Sequence, residues 1–342
     1  MFQSTRSDRD RGVILVWFAA FALVILGSGA LVIDYGALWS ERRQLQNGAD
    51  AAARAVAIDC AKTTCVQSQA TALNYAQLNA ADSSALVRLC GRGAGLTACA
   101  QVPPGISAAA GYVQAVTSTW NPGNSGSPDK VQFLLAPFLD ALQVGQTVSA
   151  SATMIWGALN AANVLPIVIS KCAFNPSWIA ADGSLSIPPT QIEILQNQDT
   201  SCSAGWTEGF DFIRDLTGNC GTIPVRIIVG GTELSAGPEG VLPACRPVIE
   251  ALKRNGQTFV IPIVSRRTPP GSDSKYFTDG FVTFKLCGYA LGGGYIENSC
   301  STICTGSTSQ IRICGTFMTL TLDSGEIANA VDYGTRVLRM VE

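Results

Sequence analysis

The side chains in this chain with chemical potential are cysteines, carboxylates and hydroxyls, because the 342 residues include no histidine. That absence excludes Ser-His-Asp and Cys-His catalysis and every histidine-containing zinc site, all of which need an imidazole as base or ligand. The cysteines form an even set of twelve: Cys60, Cys65, Cys90, Cys99, Cys172, Cys202, Cys220, Cys245, Cys287, Cys300, Cys304 and Cys314. As thiolates, Cys287, Cys300, Cys304 and Cys314 would offer a four-sulfur zinc site, but their spacing lacks the tight C-x-x-C pairs such sites favour. Disulfides are the expectation, with Cys60–Cys65 and Cys90–Cys99 as local bridges and the remaining pairing open. Asp182-Gly183-Ser184-Leu185-Ser186 carries the letters D-x-S-x-S of a Mg²⁺-dependent adhesion site. Such a site needs an apolar strand to aim its oxygens at one ion, and residues 177–181 make a poor strand, so a Ser-rich turn is expected. Gly292-Gly293-Gly294 has no Lys-Ser/Thr after it and reads as a hairpin tip rather than a phosphate loop. The lysines and acids show no catalytic spacing. No enzymatic activity, cofactor, metal or small-molecule substrate is expected.

The element that must carry these residues is announced at the N-terminus. Val13 to Ile33 reads VILVWFAAFALVILGSGALVI, without a charge. As a helix rising ~1.5 Å per residue it is about 31 Å long, which matches the hydrocarbon core of a bilayer. Arg6, Arg9 and Arg11 precede it, and only Arg42 and Arg43 follow within twenty residues. The positive-inside tendency places the N-terminus in the cytoplasm. Every cysteine lies beyond the span, which fits a body in an oxidising compartment. The run is longer than a usual signal-peptide core, which favours retention over cleavage near Gly27-Ser28-Gly29-Ala30. A net charge of −2 leaves no electrostatic footprint for nucleic acid.

Beyond the span, Leu31, Tyr35, Leu38, Leu45, Ala49, Ala52 and Val56 recur at three- and four-residue steps, so one rod is expected from Val13 to about Asp59. A second helix is expected from Val66 to about Ala80. The span holds no pair of small residues four apart, so a GxxxG-type dimer face is missing. The apolar stripe has two readings, packing against the protein's own body or against neighbouring rods. Further on, strand periodicity begins at Tyr112. A hairpin is expected from residues 113–120 and 131–135, then a short helix at 137–142 and a strand at 148–154. Later strands are expected at 165–170, 225–229, 258–264, 276–289 and 310–322, with linkers at 91–95 and 101–105. The fold class is α+β: a long N-terminal transmembrane and juxtamembrane helix followed by a disulfide-rich, mainly β ectodomain. The expected divisions are a tail at 1–12, a span at 13–33, a stalk at 34–82, an α+β subdomain at 83–160 and a mainly β subdomain at 161–342.

The stretch Arg11-Gly12-Val13 through Asp34, followed by Leu45-Gln46-Asn47-Gly48-Ala49-Asp50-Ala51-Ala52-Ala53, resembles the N-terminal module of TadE/TadG-like pilus-assembly proteins. That module has an Arg-Gly start, an apolar helix, an Asp at its outer end and an LQ-x-x-ADAAA motif. The module covers residues 11–58, with weaker similarity at 138–152, 165–172 and 281–289. The resemblance implies a membrane-anchored, minor-pilin-like structural component of a tight-adherence pilus machine. Its partners would be pilus subunits or assembly proteins, and it would cross the cell membrane once. Asp34, Tyr35, Leu38, Leu45, Ala49 and Asp50 are the candidate assembly contacts. Asp34 and Asp50 have a plainer reading as solvated acids. An envelope-anchored adhesin with a disulfide-stabilised binding domain is the alternative function.

Overall fold

The computed structural model describes residues 7–62, 65, 68–108, 110–120, 129–139, 142, 144–179, 186–196, 209–213, 219–228, 231–235, 243–268, 275–301, 303–305 and 310–341. Helix α1 is one uninterrupted rod, Ser7–Lys62, with no proline anywhere in its length. It is long and apolar enough near its start to cross a membrane, and Trp17, Phe18 and Phe21 are each about 70% exposed. Helix α2, Ser68–Leu78, follows after the Cys60–Cys65 corner. Strands β1 (Ala85–Arg92), β2 (Gly111–Thr119) and β3 (Val131–Gln132), a single turn α3 (Ala136–Leu139), and strands β4 (Gly145–Gln146) and β5 (Ser149–Ala158) come next. Strands β6 (Ala161–Val164), β7 (Ile167–Ser170), β8 (Ile192–Leu195), β9 (Phe210–Phe212), β10 (Ile223–Arg226) and β11 (Thr232–Ser235) lead to helix α4 (Cys245–Arg254). The chain ends with β12 (Thr258–Arg267), β13 (Lys275–Ala290), β14 (Ile296–Asn298), β15 (Arg312–Met318), β16 (Leu320–Leu322) and β17 (Thr335–Val341). The class is therefore α+β, a long apolar helix leading into a mostly β, disulfide-bearing body.

Two compact units interleave along the chain: residues 1–55, 69–89 and 115–152, and residues 56–68, 90–114 and 153–342. In the first, Leu45, Ala49, Ala52 and Ala53 of α1 are fully covered, as are Ala72 and Ala76 of α2. The two helices approach closely where Gly48 faces α2, since a Cβ there would stand 3.2 Å from the Ala76 carbonyl oxygen.

The second unit holds the principal core. Its largest sheet runs β8-β15-β13-β12-β7-β9, with β11 and β14 added onto β13. Gln196, just after β8, bridges to Phe210 at the start of β9, which brings the two ends of this sheet together at one point. Alternate residues fill the inside: Ile167 and Ile169, Phe210 and Phe212, Ile261 and Ile263, Val282 and Phe284, and Ile313 and Phe317. That is the period of two a strand imposes. Phe174 lies in this core with its ring centroid 5.1 Å from Tyr333 and 5.5 Å from Phe317. Helix α4 buries Cys245 and Ile249 against the same cluster. A second sheet has the order β1-β2-β5-β17-β16.

Several expectations are corrected. The residues after Val131 do not return as a hairpin partner of β2, which sits between β1 and β5; β3 pairs instead with β4. Strand β1 runs through Gly91, so residues 91–95 do not form a linker. A Cβ on Gly91 would lie 2.1 Å from the Tyr112 carbonyl oxygen, which makes this glycine a point of close backbone contact. The strand expected at 310–322 is two strands, β15 and β16, in different sheets.

Candidate functional site

The residues singled out on the helix divide by what the rod meets. Asp34 marks the end of the apolar run and is only 6% exposed. Its Oδ1 accepts a hydrogen bond from the Leu134 N–H at 2.8 Å, and its Oδ2 accepts from the Ala136 N–H at 2.6 Å. The Leu135 N–H lies 3.3 and 3.2 Å from the two oxygens. Burial would raise the carboxyl's pKa, but the three donors outweigh it and hold Asp34 below the ordinary aspartate value of 3.8. The chain entering α3 is thereby clasped to α1, with the N–H groups that lead into the turn bound by a charge.

About three helical turns beyond, the motif residues face inward. Leu45 and Ala49 are 1% and 0% exposed. The Thr117 hydroxyl donates to the Leu45 carbonyl at 2.8 Å. The Gln46 amide donates to Asp50 Oδ1 at 2.8 Å and to the Ser151 carbonyl at 3.2 Å, so Asp50 is tied into the helix surface. Gln44 Oε1 accepts the Ala81 N–H at 2.7 Å. Small residues at 48, 49, 52 and 53 let other backbone come close, and the polar residues among them bind that backbone.

Tyr35 and Leu38 lie elsewhere. Tyr35 is 70% exposed, and Leu38 is half-buried. Together with Trp39, Arg42 and residues 146–149 they line a groove of about 420 Å³. The Arg43 guanidinium stacks over the Trp39 ring at 5.1 Å. Beside it a second groove collects Glu41, Asp82 and Asp129. Burial, and secondarily the charge of Asp82, push the Glu41 carboxyl above its usual value.

The far end of α1 is pinned within the second unit. The buried Arg336 guanidinium donates to the Ala61 carbonyl in the last turn and pairs with Asp332 at 2.6 Å. A cation at a helix C-terminus meets the negative end of the helix dipole. Cys60 and Cys65 close the corner that follows.

The sulfurs are joined as Cys60–Cys65, Cys90–Cys99, Cys220–Cys245, Cys287–Cys300 and Cys304–Cys314. Cys172 is disulfide-bonded as well, and Cys202 lies outside the described residues. Sγ atoms of Cys300, Cys304 and Cys314 lie within 4.8 Å of one another, but as members of two disulfides they have no thiolate to give a metal. The adjoining loop is fixed by charge. Arg312, 2% exposed, pairs with Glu193, whose other oxygen accepts the Cys304 N–H at 3.1 Å. Gly292, Gly293 and Gly294 all have positive φ in the turn between β13 and β14. Residues 181–185, which hold most of the D-x-S-x-S letters, lie outside the described residues.

What this geometry offers is an anchor, a clasp and a packed motif on a single helix. Residues 12–59 match a family model. It is the Tad model, described as Putative Flp pilus-assembly TadE/G-like. No match was found among curated proteins or among solved structures. The matched segment runs from the start of the apolar span, through Asp34 and the 45–53 motif, to the last turn of α1. The matched segment is thus all helix, and its sequence pattern has two sources: an apolar exposed half, and a small-residue half buried by its own chain. The sequence did not show the partners of Asp34, because those amides stand about 100 residues away, and local periodicity does not say which distant element a strand end meets.

Proposed function

We propose that this protein is a non-catalytic, membrane-anchored component of a tight-adherence (Flp-type) pilus system, in the role of a minor pilin or assembly factor. The observation that carries the reading is the Tad match over 12–59, which spans both the apolar run and the packed motif. The family is generally structural, and a single apolar span among the described residues, followed by a mostly β body, suits a part that is held and holds others. In this reading residues 1–12 lie in the cytoplasm, 13–33 cross the membrane, 34–82 form the stalk, and the bodies at 83–160 and 161–342 lie outside. The disulfides support that side, since they persist in oxidising compartments. Of the candidate assembly contacts, Tyr35 and Leu38 remain available to a neighbour, whereas Leu45 and Ala49 are covered by the chain itself.

Deletion of the gene, with pili counted by electron microscopy, tests the role. The expected result is loss or strong reduction of pili, together with co-purification of pilus components after mild detergent extraction. A clean monomer and an unchanged pilus number would overturn it. Normal pili with lost adherence would instead point to an envelope-anchored adhesin.

A further inference from the structure

We infer that the groove beside Tyr35, Trp39 and Arg42 is a binding site for the headgroup of an anionic phospholipid. The inference rests on the membrane anchorage proposed above and concerns a ligand that anchorage alone does not supply. Its first support is position. Trp39 is six residues past Ile33, or about 9 Å along the axis, while the headgroup layer is about 5–7 Å thick. Side chains on a helix lean back toward its N-terminus, which carries the Tyr35 and Trp39 rings into that layer. Tyr35 is 70% and Trp39 57% exposed, although both are large, costly aromatics to leave in water. Aromatic rings with a polar edge settle at this depth of a membrane.

The second support is charge. Arg42 and Arg43 are both exposed, and among the described residues neither is paired with a carboxylate. Arg42 lines the groove, and the Arg43 guanidinium carbon lies over the Trp39 ring, 5.1 Å from its centroid. Both sit about 14–15 Å past Ile33, and their long stems reach back toward the bilayer as such side chains do at interfaces. A guanidinium presents a fork of donors matched to two phosphate oxygens. The opposite wall, residues 146–149, brings Gln146, Thr147 and Ser149, whose polar groups suit a hydroxylated headgroup such as glycerol. The groove's volume of about 420 Å³ is in the range of small-ligand clefts. A phosphate with net negative charge fits this set, and a zwitterionic choline headgroup brings a third cation to a site that already holds two.

The test uses the full chain in nanodiscs of phosphatidylcholine containing a minority of phosphatidylglycerol, with the lipids retained on release measured by native mass spectrometry. Enrichment of phosphatidylglycerol over its share in the disc is expected. Each arginine near a membrane surface is worth about fivefold in binding, so Arg42→Gln/Arg43→Gln should abolish most of the enrichment. Both side chains are exposed, and the double variant should keep the circular dichroism and thermal midpoint of the parent. Arg88→Gln, an exposed arginine on β1, should leave the enrichment unchanged. Equal retention of both lipids by the parent, or enrichment that survives the double variant, overturns the site. So does equal loss in Arg88→Gln, which would mark the effect as bulk charge. A chain that enters discs stably yet shows no preference leaves the anchor standing and removes only the headgroup site. A chain that enters no disc overturns both.

Discussion

Asp34 sits at the place where the apolar run of α1 ends, and an acid there is ordinarily explained by water. Here the carboxylate is instead spent on three consecutive N–H groups of residues 134–136. Replacing it with alanine should remove the protection of those three amides in hydrogen exchange while the rest of α1 keeps its own. Asp34→Asn should fall between, because an amide oxygen still accepts but without charge. The sign with pH follows from the direction of the shift. A carboxyl held below its unfolded value stabilises the fold above that value, and the contribution disappears as pH falls through the folded pKa. The gap in thermal midpoint between the parent and Asp34→Asn should therefore be full at neutral pH and close below about pH 3.8. Glu41 behaves in the opposite sense. Burial and Asp82 raise its pKa, so its ionised form costs stability once the pH passes its unfolded value. Glu41→Gln should raise the thermal midpoint at pH 7 and leave it unchanged well below pH 4.5. A lowered midpoint at pH 7 would mean the carboxylate has a partner that outweighs its burial.

Elements are readable where the period of the side chains decides the outcome, and unreadable where the partner decides it. The rod of α1 is plain from a proline-free run with few breakers apart from Gly36 and Gly48, and the inward alternation of β12, β13 and β15 is plain from Ile, Val and Phe two residues apart. The hairpin expected after Tyr112 fails because alternation tells which face is buried and not which strand lies alongside. β17 escapes notice because Arg336 and Arg339 break its apolar run. Arg336 is nonetheless buried, since it answers the carbonyl end of α1 and the Asp332 carboxylate. Glycine is the hardest residue to interpret alone, because freedom and close contact select it equally. Gly91 belongs to the second kind, so Gly91→Ala should push β1 off the Tyr112 carbonyl. The expected cost is about 1–3 kcal/mol in denaturant unfolding, the range for forcing extra atoms into packed structure. Gly105 provides the contrast, since a Cβ added there would meet nothing within 4 Å. Its φ of +79° makes any loss on Gly105→Ala a backbone effect, smaller than the collision at 91.

Across the whole molecule the disulfides do not contribute equally, because each removes a different amount of freedom from the unfolded chain. Cys220–Cys245 spans 25 residues, and Cys60–Cys65 spans five. Loop-closure entropy grows with the logarithm of loop size, which gives about 3.5 kcal/mol for the first bridge and about 2 kcal/mol for the second. Packing adds to the difference. Cys220 and Cys245 belong to the main hydrophobic cluster, and Cys245 begins α4, whose Ile249 is buried in the same cluster. Cys60–Cys65 only tightens a corner that the Arg336 guanidinium already holds at Ala61. The paired substitution Cys220→Ala/Cys245→Ala should accordingly lower the thermal midpoint more than Cys60→Ala/Cys65→Ala, and it alone should loosen α4 in hydrogen exchange. If the short bridge proves the more damaging loss, the corner after α1 matters more to the second unit than the bridge into its core, and the entropic ranking fails for this fold.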